Sequence, residues 1–207
     1  MSAVQSFENK VVWITGASSG IGEGLAKEFS ARGAKLVLSA RNQLQLQRVA
    51  DECIAAGSSE EHILVLPLDV GEFDTMAAAK DRVIEVVGRI DMLINNAGIS
   101  QRSLCLAPAL SVYQTMMHVN VLGQIALTKQ VLPVMVEQGE GLMVVTSSVA
   151  GKVGAPIRTG YCAAKHAGMG VSDALRTEVA HGGSKGTTIT PGFIRTNVSE
   201  NALTGDG

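Results

Sequence analysis

Tyr161 and Lys165 stand four residues apart in the stretch Tyr-Cys-Ala-Ala-Lys, which reads as helix, so both side chains share one face. A phenol with a pKa near 10 is a poor proton donor or acceptor at neutral pH unless a cation lowers it. A lysine at this spacing supplies that cation, and the pair suits proton transfer. The chain holds only two tyrosines, and the other, Tyr113, has Met117 where a lysine would be needed. A Tyr-x-x-x-Lys taken alone is more often an aromatic residue beside an exposed lysine, so its surroundings must decide. Ser147 and Ser148 close an apolar run shortly before, at the edge where open α/β sheets bind ligands, and a hydroxyl there can hold a substrate oxygen. Consecutive residues leaving a strand point oppositely, so only one of the two serves.

The second constellation is Thr15-Gly16-Ala17-Ser18-Ser19-Gly20-Ile21-Gly22, between an apolar run and a helical stretch. Glycines allow positive φ and close approach of a pyrophosphate to the backbone, and a helix N-terminus offers unpaired N–H groups and a positive dipole end. Neither a strict G-x-G-x-x-G nor a G-x-x-x-x-G-K-S/T is present, and a glycine turn after a strand is often merely structural.

The elements that must position these residues are legible in the apolar pattern. Val11 to Thr15, Leu36 to Ser39, Ile63 to Leu68, Met92 to Asn95 and Leu142 to Thr146 are apolar at nearly every position, the mark of parallel strands buried on both faces. Helical stretches lie between them at about 21–32, 43–56, 74–88, 109–138 and 161–181. A sixth strand is expected near Lys185 to Thr190, weakened by Ser184 and Gly186. Repeated βα units with right-handed crossovers predict a doubly wound α/β sheet in the order 3-2-1-4-5-6, one domain over 1–207. Asn120, inside the longest helical stretch, is a poor helix former that predicts a kink.

Composition narrows the partners. The 207 residues are 46% hydrophobic and 17% charged, enough for a sizeable core. Seventeen basic residues against nineteen acidic ones give a net charge of -2, with no basic excess for nucleic acid. Three cysteines, at 53, 105 and 162, encode neither a disulfide framework nor a zinc site, and a reducing, cytoplasmic setting fits them. The four histidines have no ligand partner at helical spacing, so no metal is expected. Cys162 reads as a small apolar residue. No secretory signal is visible, and the apolar run from Val119 to Val136 contains Asn120, Gln124, Lys129, Gln130 and Pro133, so it reads as a core helix with no membrane span.

With these residues in place, the chain resembles the short-chain dehydrogenase/reductase family along its whole length. T-G-x-x-x-G-I-G follows the first strand, Asp69 the third, Asn95-Asn96-Ala97-Gly98 ends the fourth, Ser147-Ser148 the fifth, Tyr161 to Lys165 opens the next helix, and Pro191-Gly192 follows the sixth. Val149-Ala-Gly-Lys152 and Pro191 to Asn197 resemble the member 7/7B-like branch, which contains reductases of steroid-like and other carbonyl compounds. The resemblance implies a Rossmann-fold oxidoreductase that moves hydride between a nicotinamide and a carbonyl or secondary alcohol carbon. It implies Tyr161 as general acid, Lys165 lowering its pKa and binding the ribose, Ser148 polarising the carbonyl, and Asn120 ordering a water in the proton path.

For the cofactor, it implies Gly16, Ser18, Ser19, Gly20, Ile21 and Gly22 at the pyrophosphate and Asp69-Val70 at the adenine. Asn96, Ala97 and Gly98 flank the ribose, and Pro191, Gly192, Ile194 and Thr196 lie at the nicotinamide end. An NAD site usually has an acid after the second strand, but here Ala40 is followed by Arg41, whose guanidinium suits a 2′-phosphate; NADP(H) is therefore favoured over NAD(H). Family members continue into a substrate lid, another helix and a seventh strand, which points to a chain truncated at its C-terminus. The small and apolar faces of helices 109–138 and 161–181 permit close approach of a second copy or packing onto the sheet, and the resemblance implies a homodimer or homotetramer through them. The alternative is a nucleotide-binding sensor or scaffold without turnover.

Overall fold

In the computed structural model, residues 6–194 and 202–204 are described. Six parallel strands form one sheet in the order β3-β2-β1-β4-β5-β6. They are β1 Val11–Thr15, β2 Lys35–Ser39, β3 Ile63–Val65, β4 Met92–Asn95, β5 Gly141–Thr146 and β6 Ser184–Ile189. The helices are α1 Gly20–Ala31, α2 Gln43–Ala55, α3 Met76–Val87, α4 Leu110–Met117, α5 Gly123–Gln138 and α6 Thr159–Glu178. The strand order reverses between β1 and β4, so the crevice above their carboxyl ends is where an open sheet receives a ligand.

Alternate residues of each strand feed two apolar layers. Val11, Trp13, Val37 and Leu93 pack with Met76 and Val83 of α3 and Leu127, Val131 and Met135 of α5. Val12, Ile14, Leu36 and Leu38 pack with Ala26 of α1 and Leu46 and Val49 of α2. Each such aliphatic side chain contributes about 1.5–3 kcal/mol on burial. Trp13 is fully buried and places its indole N–H on Ser39 Oγ at 2.9 Å. At the opposite, amino edge, Asp91 accepts from Val11 N–H at 2.8 Å and pairs with Arg89 and Lys10.

Three departures from the expected elements have local causes. β3 ends at Val65, two residues before Pro67, although Leu66 N–H and Leu68 N–H still bond to Leu38 O and Ala40 O, because the missing Pro67 N–H would face the open edge of the sheet and not β2. The helix expected over 109–138 is divided by a π turn at His118–Leu122, closed by Gly123 N–H on His118 O. α6 begins at Thr159, two residues before Tyr161, because Gly160 N–H is taken by Gln101 Oε1 at 2.7 Å. Leu110–Gln138 taken together is long and apolar enough to cross a membrane by length and composition alone. Here Val112, Met116, Val121, Leu127, Val131 and Met135 face the interior.

Candidate active site

β1 delivers the chain into the glycine turn. Gly16 and Gly20 adopt φ of 67° and 58°, a region that side chains with a Cβ disfavour. Gly22 carries the tightest approach: a Cβ there would lie 2.2 Å from Gly16 O and 2.8 Å from Asn96 Nδ2. The α1 N-terminus is thus pressed against the turn and the Asn96 loop. Ser19 precedes α1 in extended backbone with no side-chain cap, which leaves first-turn N–H groups without that partner. Thr15 Oγ1 donates to Ile94 O and accepts from the N–H groups of Asn96 and Ala97, both at 3.0 Å, while Asn96 Nδ2 donates to Thr15 O. From behind, Arg48 donates to Ser18 O at 3.2 Å and pairs with Glu23 at 2.7 Å. The Arg48 bond holds the Glu23 carboxyl down to about 2, against the opposing effect of burial.

Arg41 is exposed at the end of β2, and none of the described residues pairs with its guanidinium. It borders a cleft of about 510 Å³ with Leu66, Leu68, Asp69, Thr75 and Arg82, whose lining includes neither Ser148 nor Tyr161. Asp69 Oδ1 accepts from Gly71 N–H at 2.8 Å, and Val70 is buried with its carbonyl against Gly123.

Lys165 is only 6% exposed, and its Nζ donates to Thr146 O at 2.8 Å. With no acid beside it, burial depresses its pKa to about 8. Its Nζ lies 5.7 Å from the Tyr161 ring centre. The phenol departs from the expected direction: burial pushes Tyr161 above its ordinary value, and a hydrogen bond with Ser148 and the charge of Arg158 pull the other way. The Lys165 ammonium is directed at a main-chain carbonyl, the Thr146 oxygen.

The two serines divide as strand alternation requires. Ser147 is buried and donates to Lys165 O at 3.4 Å, whereas Ser148 accepts from Ala150 N–H and turns toward Tyr161. Asn120 sits in the π turn and clasps one peptide group, accepting from Ile99 N–H and donating to Ile99 O, both at 2.8 Å. A Cβ on Gly98 would lie 3.0 Å from Asn120 Oδ1 and 3.7 Å from Lys165 Nζ, so glycine lets these three meet. Val149 N–H donates to Pro191 O at 3.1 Å, which ties the Pro191-Gly192 turn to the segment after Ser148; Ile194 is exposed, and Thr196 lies outside the described residues. Among the described residues no group of three or more His, Cys, Asp or Glu side chains is placed to hold a metal.

Sequence reasoning missed Thr146 and Ile99, whose roles are played by main-chain atoms, and the Thr15 hydroxyl and Arg48, which act from behind the turn. Only the Asn120 anomaly inside a helix gave a signal, and it marked a π turn, a device frequent at functional sites.

A family model described as short chain dehydrogenase matches residues 10–206. The chain belongs to the short-chain dehydrogenase family. Within this family, dehydrogenase/reductase SDR family member 7 of Homo sapiens is 47% identical over 198 residues, covering 95% of this chain and 58% of that protein. SDR family member 7B of Mus musculus is 42% identical over 200 residues, covering 96% and 62%. The chain thus spans about six-tenths of the length of these curated relatives. Among solved structures, a short-chain dehydrogenase from Burkholderia phymatum in complex with NAD superposes with a TM-score of 0.90 at 29% identity, covering 96% of this chain and 70% of that one. A metagenomic short-chain oxidoreductase in complex with NADP gives 0.85 at 28% identity, covering 90% and 84%.

Proposed function

We propose that this short-chain dehydrogenase chain carries the nucleotide-binding and proton-transfer parts of an oxidoreductase acting on a carbonyl or secondary alcohol. The observation that carries the reading is the meeting of Gly98, Asn120 and Lys165 Nζ, with that nitrogen 5.7 Å from the Tyr161 ring centre. A dinucleotide fits the residues present. Gly16 and Gly20 give the turn its positive φ, Gly22 lets the α1 N-terminus lie against Gly16, and we assign the main-chain N–H groups of Ser18, Ser19 and Ile21 to the pyrophosphate. The relatives of known structure bind NAD in one case and NADP in another. We favour NADP(H), because Ala40 stands where an NAD site has an acid and Arg41 offers an unpaired guanidinium.

A bound nicotinamide cofactor supplies or accepts the hydride. The chain does the rest. Ser148 holds the carbonyl oxygen, and Tyr161 gives that oxygen its phenolic proton in reduction. Lys165 orients the ribose, and with a pKa near 8 it exchanges its proton close to neutral pH. Asn120 keeps the Ile99 backbone in place beside it, and we assign the carboxamide contact to Thr196. The adenine lies by Asp69 and Val70, and the riboses by Asn96, Ala97 and Gly98. Tyr161→Phe keeps the shape and removes the proton, so NADPH binding should persist while turnover of a model diketone falls by roughly two to four orders of magnitude. Turnover at the parent rate would exclude Tyr161 as the acid.

Leu110, Met117, Leu122 and Val171 are exposed on the helices proposed to pair two copies. A monomeric mass by light scattering at micromolar concentration would count against the homodimer.

A further inference from the structure

Two cations lie beside the Tyr161 ring, Lys165 with its Nζ 5.7 Å from the ring centre and Arg158 immediately before α6. Its guanidinium carbon lies 5.9 Å from the ring centre, and the side chain is half-buried. Its Nη1 donates to Ser100 Oγ at 2.8 Å, a neutral partner that leaves the charge uncompensated, and among the described residues no carboxylate lies within ion-pair distance. Its position is imposed by the backbone. Ile157 holds φ at 57°, a left-handed conformation that a β-branched residue adopts only when the surroundings force it. Ile157 O accepts from Ser103 N–H, and Gly160 N–H is held by the fully buried Gln101. These bonds fasten residues 157–160 to the 100–103 segment and aim Arg158 across the gap at Tyr161.

The groups around the phenol are few. Ser148 reaches it from the turn after β5, Cys162 is its chain neighbour, and Lys165 lies on the same helix but donates to Thr146 O. The apolar cluster that Tyr161 packs into contains Ile99, Met116, Val121, Ile125, Ala164, Ala167 and Leu203. We propose that Arg158 is a positioning residue for Tyr161, holding a fixed positive charge beside the ring and so setting the pH at which the phenol gives up its proton. Its mechanistic use rests on the reading of Tyr161 as proton donor. The charge effect itself does not, and it offsets the burial that pushes the phenol upward.

Because the chain has two tyrosines, Tyr113→Phe leaves Tyr161 as the sole phenol, and its ionisation is read directly from near-ultraviolet absorbance without turnover or cofactor. In that background Arg158→Gln and Arg158→Met should each raise the midpoint by about one pH unit, and Arg158→Lys should hold it nearer the parent. A merely structural role predicts the opposite sign, since loosening the segment admits water and lowers the midpoint of a buried phenol. Trp13 fluorescence checks that each protein remains folded at the pH of measurement. A midpoint unchanged or lowered in the folded neutral variants overturns the proposal. A rise with an active Tyr161→Phe enzyme would instead sustain the charge effect and remove the proton-donor role.

Discussion

Lys165→Met should make this protein more stable at neutral pH while removing a residue central to its proposed activity. In the native state the ammonium is buried with one carbonyl partner, and its pKa falls from 10.5 to about 8. A shift of that size corresponds to about 3 kcal/mol of native-state destabilisation wherever the lysine is charged in both states. Methionine fills a similar volume without charge, but it leaves Thr146 O without this donor, at a cost of about 1 kcal/mol. The net expectation at pH 7 is a gain of about 2 kcal/mol. The pH dependence identifies the cause. Between about pH 8 and 10.5 the unfolded chain keeps a proton that the folded chain has released, so the parent gains stability as pH rises through this window. The advantage of Lys165→Met should therefore be full below pH 8 and shrink by about 3 kcal/mol toward pH 10.5. Cys53, pushed upward by burial, titrates in the opposite sense, but it is common to both proteins and cancels in the difference. Urea unfolding at a series of pH values, followed by the buried Trp13, measures it. A variant less stable than the parent by the same amount at every pH would refute the reasoning.

Gly22→Ala should reduce nucleotide affinity and lower stability by about 1–3 kcal/mol, because its Cβ would meet Gly16 O. Gly24→Ala, on the same helix with nothing within 4 Å of its Cβ, should instead stabilise by about 0.8–1 kcal/mol, and thermal melts distinguish the two. Arg41→Ala should lower NADPH affinity by about ten- to a hundredfold with little change for NADH, in titrations of both; an unchanged ratio would remove Arg41 from the cofactor assignment.

The fold was legible because its strands are buried on both faces and so read as continuous apolar runs; β1 and β4 have the expected bounds. The ends of β3 and the interior of 109–138 were less so. Pro67 changes strand geometry without ending the hydrogen bonding, and a π turn adds one residue to a helix without altering its apolar pattern. In the site, Tyr161, Lys165 and Ser148 announce themselves by side-chain chemistry and spacing. Arg158 does not, because an arginine before a helix looks like any solvated charge until Ile157 and Ser100 are seen to fix it. The direction of the Tyr161 shift was equally hidden, since its largest cause is the burial of the ring, which only the packing reveals.

Asn120 grips the amide and carbonyl of Ile99, never the isoleucine side chain. Any residue but proline offers those two atoms. The position directly after Gly98 can therefore change its size and polarity through evolution or design without loosening the joint between the β4 loop and the π turn. The apolar cluster that Ile99 shares with Tyr161 and Leu203 is open to redesign from that single position, while the register of Lys165 and Asn120 stays anchored in the main chain.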